Sequence, residues 1–116
     1  MSNAVADKSL EFAVRIVKLY KYLCEEKREY VLSKQVLRSG TSIGANIAEA
    51  QEGQSKKDFI AKMSIALGEA RETSYWLKLL ERTEYITLQQ YDSIKKDCDE
   101  LLKLLITIVR SARNNG

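Results

Sequence analysis

Apolar and polar positions along this chain recur at the three-and-four step of amphipathic helices, in four blocks. The first block predicts a helix over about residues 8–27. Lys8, Glu11, Arg15, Lys18, Lys21 and Glu25 share one arc, and Phe12, Ile16, Leu19, Leu23 and their neighbours fill the rest. That apolar face is wider than the ~100° stripe of a surface helix, so it needs two neighbours. The second helix is predicted over about 31–52, on Leu32, Val36, Ile43, Ile47 and Ala50, with Gly53 as a left-handed cap. Its start is poorly marked, because residues 25–30 hold no turn residue.

The third helix, about 56–82, opens on Ser55 and Asp58 at capping-box spacing, and Phe59, Met63, Ala66, Ala70, Thr73, Leu77 and Leu80 make its seam. Only Gln54 stands between Gly53 and Ser55, which predicts a tight αα-hairpin. The fourth, about 88–112, has Thr87 and Gln90 as a capping box and Ile86 and Tyr91 as a hydrophobic staple. Short links between long helices force antiparallel neighbours. The expected fold is therefore all-α, a single up-down-up-down four-helix bundle. Its expected centre is Val36, Ile43, Ile47, Phe59, Met63, Ala66, Ala70, Leu77, Ile94, Leu101, Leu105 and Ile108.

Composition agrees and removes much chemistry. Among 116 residues there is no proline and no histidine. Without histidine there is no imidazole base, no Ser-His or Cys-His pair and no imidazole metal ligand. No catalytic, cofactor or metal site is predicted, and no small-molecule substrate. Cys24 and Cys98 are far apart and read as reduced thiols of a cytoplasmic protein, a disulfide being the lesser alternative. No signal peptide or membrane-spanning stretch is expected, and Ser2-Asn3-Ala4 resembles a cloning remnant.

Three polar or misplaced groups invite a function. Lys96, Lys103 and Arg110 recur every seven residues on the fourth helix, with Arg113 beyond, and Arg15, Lys18 and Lys21 lie on the first. These cations suit phosphates. They also suit a solvated ion-pair face, through Glu11–Arg15, Asp92–Lys96 and Asp99–Lys103. Ile65, Trp76 and Leu79 cluster opposite the third helix's seam and read as an oligomer interface. Arg38, Asn46 and Glu49 read as a hydrogen-bonded network rather than a small active site. The small residues from Ser39 to Ala48 allow close helix packing, hydroxyl bonds to i−4 carbonyls, and a kink near Gly44.

Residues 37–50, LRSGTSIGANIAEA, closely resemble the R-x-x-x-S-I-x-x-N-I-A-E-G signature of a four-helix-bundle family. That family was first named from proteins encoded in intervening sequences of bacterial 23S rRNA genes. Residues 55–60, 65–70 and 84–86 resemble its next helix, and the likeness covers about 8–112. Ala50 stands where the family usually has glycine, and Gly44 where many members have proline. The resemblance implies a ring-like homopentamer, similar to the accessory protein of diversity-generating retroelements, a basic pentamer held to bind nucleic acid and a reverse transcriptase. It implies no catalytic role for Arg38, Ser42, Ile43, Asn46, Ile47 or Glu49. The expected function is a non-enzymatic, oligomeric scaffold associated with RNA or DNA. The alternative is a ring that holds protein partners only.

Overall fold

The computed structural model describes residues 3–115. Four helices follow in chain order: α1 Ala4–Glu25, α2 Leu32–Gln51, α3 Lys56–Arg82 and α4 Leu88–Asn114. Each packs on the next, and α1 returns more sparsely against α4, which closes an antiparallel four-helix bundle. The bundle is 47 × 23 × 20 Å.

The expected caps of α3 and α4 form. Thr87 Oγ1 accepts from Gln90 N at 3.1 Å, and Gln90 Oε1 accepts from Thr87 N at 2.8 Å, a complete capping box. Ile86 and Tyr91 are both buried, as a staple requires. Ser55 Oγ accepts from Asp58 N at 3.1 Å.

The other ends differ from expectation. α1 begins at Ala4 rather than near residue 8, because Asn3 Oδ1 caps it by accepting from Ala6 N at 3.3 Å. Asn3 is thus part of the fold. Gly53 is not left-handed: α2 ends on Glu52, with φ −98° and ψ 4°. A Cβ on Gly53 would lie 3.1 Å from the Ala50 carbonyl oxygen, so close approach is what calls for glycine there. The left-handed positions are Arg28 (φ 53°) and Glu84 (φ 67°). At Glu84 the turn is a Schellman motif, with Tyr85 N donating to Leu80 O at 2.9 Å and Glu84 N to Glu81 O at 3.0 Å.

The unmarked start of α2 is capped by a side chain just ahead of it. The buried Glu29 carboxylate accepts from Ser33 N at 2.7 Å, Leu32 N at 3.0 Å and Val31 N at 3.2 Å. These are among the amides that a helix leaves unpaired at its start. Burial alone would raise the pKa of Glu29, but the three amides outweigh it and hold it below its ordinary value.

The core runs the length of the bundle through Phe12, Ile16, Leu23, Val36, Ile43, Ile47, Met63, Leu77, Leu80, Leu101 and Leu105. Of the expected centre, Phe59 and Ile108 are only half-buried and pack at its margin. The small residues of α2 do allow close packing. Ser39 and Thr73, both fully buried, join their hydroxyls at 2.9 Å across α2 and α3. Thr41, Ser42 and Asn46 donate to the carbonyls of Leu37, Arg38 and Ser42, four residues back in each case. α2 stays one continuous helix through Gly44.

Candidate nucleic-acid interface

Of Arg15, Lys18 and Lys21, Arg15 is engaged in an ion pair, while Lys18 and Lys21 are exposed and outside every ion pair among the described residues. Arg15 braces α1 to α4. Its Nη1 donates to Asp97 Oδ2 at 2.8 Å and to Ser93 O at 3.1 Å, and its Nη2 donates to Ser93 Oγ at 2.9 Å. The expected Glu11–Arg15 pair is therefore replaced by a pair across helices. Planar guanidinium reaches a carboxylate and a carbonyl at once, which one carboxylate on its own helix does not offer. Lys8 and Glu100 form a second ion pair between the same two helices. Lys18 lines a hollow of about 510 Å³ beside Arg15, floored by Leu19, Tyr22, Ile86 and Ile94, while Lys21 is exposed.

On α4, Lys96, Lys103, Arg110 and Arg113 are all exposed. The expected Asp92–Lys96 and Asp99–Lys103 pairs are not formed; Asp99 accepts instead from Lys95, at 2.5 Å. Among the described residues Lys96, Lys103 and Arg110 take part in no ion pair. Arg110 and Arg113 share a hollow with Arg71 of α3, which sequence reasoning missed. A signal existed: Lys57, Ser64, Arg71 and Lys78 recur every seven residues on α3, as the cations of α4 do. Of the α4 candidates, Arg110 and Arg113 are far from those of α1, since Ser93, which Arg15 binds, and Arg110 stand about 25 Å apart along α4 at ~1.5 Å per residue, whereas Lys96 is about one turn from Ser93.

Of the interface candidates, Ile65 is 49% exposed, whereas Trp76 and Leu79 are half-buried. The Trp76 indole nitrogen donates to Glu72 Oε2 at 3.0 Å. Arg38 reaches the same carboxylate and also donates to Glu69 Oε2 at 3.0 Å. The Trp76 bond, with help from Arg38 and against partial burial, holds the Glu72 carboxyl below its ordinary pKa. Exposed apolar residues that the pattern did not single out are Leu10 and Val14 on α1 and Tyr75 on α3, whose ring meets Trp76 edge-on at 5.2 Å.

Arg38, Asn46 and Glu49 are not a network. Arg38 binds α3, Asn46 its own helix, and Glu49 pairs with Lys62 at 3.3 Å. They are spread over about three turns of α2 and turn to different partners, so no shared site forms. Both cysteines are free. Burial pushes the Cys98 thiol up to about 12, and it lies 3.6 Å from the Ala70 carbonyl oxygen, so it is a poor nucleophile at neutral pH.

The family model for the 23S rRNA-intervening sequence protein matches residues 1–107. This chain belongs to that family. A solved crystal structure from Bacteroides thetaiotaomicron VPI-5482, a protein with unknown function from the S23 ribosomal protein family, is 66% identical. It superposes with a TM-score of 0.92, covering 93% of this chain and 96% of that one. No curated protein matches. The stretch over residues 37–50 that carries the resemblance falls on α2, where small residues meet both α1 and α3. Its small residues serve packing: Gly40 meets Ile16 and Ser39 meets Thr73. Among the described residues no three Asp, Glu or Cys side chains gather as a metal-binding group.

Proposed function

We propose that this member of the 23S rRNA-intervening sequence family is a non-enzymatic, oligomeric scaffold that associates with nucleic acid in the cytoplasm. The observation that carries it is the outer face of α4. Lys96, Lys103 and Arg110 stand there in register, exposed and outside every ion pair among the described residues. Such cations are available for phosphates. One chain at +3 is a weak ligand for a polyanion, and five copies carry +15 with each strip repeated by symmetry. The exposed apolar side chains of Leu10, Val14 and Ile65 support assembly, and the family resemblance makes a pentamer the expected size. The groups that are buried or engaged serve the fold: Glu29 caps α2, Arg15 braces α4, and the Cys98 thiol stays protonated.

The test is binding of labelled RNA and DNA at rising salt. Phosphate contacts give a steep fall of log affinity with log salt, alike for unrelated sequences of one type. An oligomer that ignores both polymers at low salt overturns the proposal.

A second role, holding a protein partner, is favoured by one other observation. Antiparallel topology puts the α1–α2 and α3–α4 links at one end of the bundle, and Val31 (70% exposed), Leu88 (60%) and Tyr30 (53%) stand in water there. That end supplies apolar anchors where the opposite end supplies charge.

A further inference from the structure

We propose that the seam between α3 and α4, at the end where α4 finishes, binds single-stranded nucleic acid: phosphates on its arginines and lysines, unstacked bases on its aliphatic floor. The inference rests on the nucleic-acid role proposed above and assigns it a surface and a substrate form.

Two shallow hollows adjoin along this seam. One, of about 320 Å³, is bordered by Arg71, Arg110 and Arg113 over Leu67, Ile106 and Val109. The other, of about 280 Å³, is bordered by Lys56, Lys57 and Arg113 over Ile60 and Ala112. Arg113 borders both, so the hollows form one track. No carboxylate lines either. The sequence holds no Asp or Glu after Glu100, so among the described residues no acidic side chain on the last turns of α4 stands beside Arg110 and Arg113. Arg113 donates only to Ser64 Oγ, at 3.3 Å, and among the described residues none of the five cations is ion-paired. Five uncompensated cations around one seam concentrate counter-ions there far more than the net charge suggests.

The floor distinguishes strand from duplex. A duplex hides its base faces in the stack and offers this surface only phosphates and groove edges. A single strand offers its base faces too, and these take apolar contact and guanidinium planes. An aliphatic floor flanked by arginines is wasted on a duplex. From Lys56 to Arg71 the track runs about 22 Å along α3 at ~1.5 Å per residue. That is room for a few unstacked nucleotides, each of which spans more than the ~3.4 Å rise of a stacked duplex strand. Neither hollow has an aromatic side chain, so phosphates carry most of the affinity and sequence preference is weak. The α1–α4 hollow has an apolar floor too, but of its two cations Arg15 is already held by Asp97, which leaves Lys18 alone to meet a phosphate.

The experiment uses the full chain and a fluorescent single strand, the duplex of the same sequence, and an abasic strand of equal length. The single strand is expected to bind more tightly than the duplex and the abasic strand. The double variant Arg71→Gln, Arg113→Gln is expected to lower the salt slope by about two and single-strand affinity at least about tenfold. Both positions are exposed, and thermal melting checks that the fold persists. The variant Lys18→Gln, Lys21→Gln is expected to bind nearly as the unaltered protein does. If the seam variant binds like the unaltered protein, the surface is wrong while the broader role stands. Equal or tighter duplex binding overturns the single-strand assignment. Failure of the unaltered protein to bind any of the three overturns both.

Discussion

Gly40 lies so close to Ile16 that a Cβ built on it would stand 2.7 Å from Ile16 Cγ1 and 2.8 Å from Cγ2. Ile16 is fully buried and branched at Cβ, so it has little freedom to withdraw. The spacing of α1 and α2 therefore depends on a missing methyl group. Gly40→Ala is expected to destabilise the fold by about 1–3 kcal/mol, the usual cost of overpacking. Gly68 provides the contrast, because a Cβ there would meet nothing within 4 Å. Gly68→Ala is expected to stabilise by about 0.5–1 kcal/mol through helix propensity alone. Chemical denaturation of both variants checks the pair; the same sign for both would contradict the geometry.

Leu105 is fully buried, and Ile108, one turn on, is only half-buried at the core's margin. Leu105→Ala is expected to cost about 2–5 kcal/mol. Ile108→Ala is expected to cost clearly less, because its side chain already meets water. Denaturant midpoints rank the two, and a loss under about 1 kcal/mol at Leu105 would place that face of α4 in solvent.

Glu29 makes stability depend on pH. Its carboxyl is held below the ordinary value of 4.5, so folding binds fewer protons at this group than the unfolded chain does. Its contribution is complete above that ordinary value and is lost as pH falls through the lower folded value. Glu29→Gln is expected to destabilise at pH 7 by about 0.5–2 kcal/mol, the range of a lost cap. It is also expected to flatten the acid limb of the stability profile. Melting temperatures at pH 7 and pH 3 check both, and an unchanged acid limb would show that other carboxylates govern it.

Assembly is best tested at Ile65. Trp76 is the larger residue, but its indole is bonded to Glu72, so Trp76→Glu would set one carboxylate beside another and disturb the fold as well. Ile65 is 49% exposed. Ile65→Glu is expected to lower the oligomer mass in light scattering while the melting temperature of the bundle changes little. An unchanged mass would place the interface elsewhere, with Leu10 and Val14 as the next surface to alter.

Local chemistry made the fold legible. The Thr87–Gln90 box and the three-four seams of α3 and α4 depend on neighbours within one or two turns, and they appear where the pattern puts them. Not everything local was legible: Glu29 caps α2 from two to four residues before the amides it accepts from, through a stretch that no turn residue marks, and Asp99 takes Lys95 rather than Lys103, which lies equally near along the helix. A distant partner was not legible either: Arg15 turns from Glu11 to Asp97 because α4 lies beside it. Arg71 went unnoticed because α3 carries acids as well. Only the packing shows that Glu69 and Glu72 face Arg38 on α2 while Arg71 faces α4.

The central claim, an assembled ring that carries nucleic acid, is tested most directly by light scattering with two-wavelength absorbance. The protein is run through a sizing column at low salt with a short oligonucleotide. The expected result is one peak holding both polymers, with a protein mass several times the 13.2 kDa of one chain. Addition of salt should release the oligonucleotide and leave the protein mass unchanged. A single-chain mass, or an oligomer that elutes apart from the oligonucleotide at low salt, would contradict it.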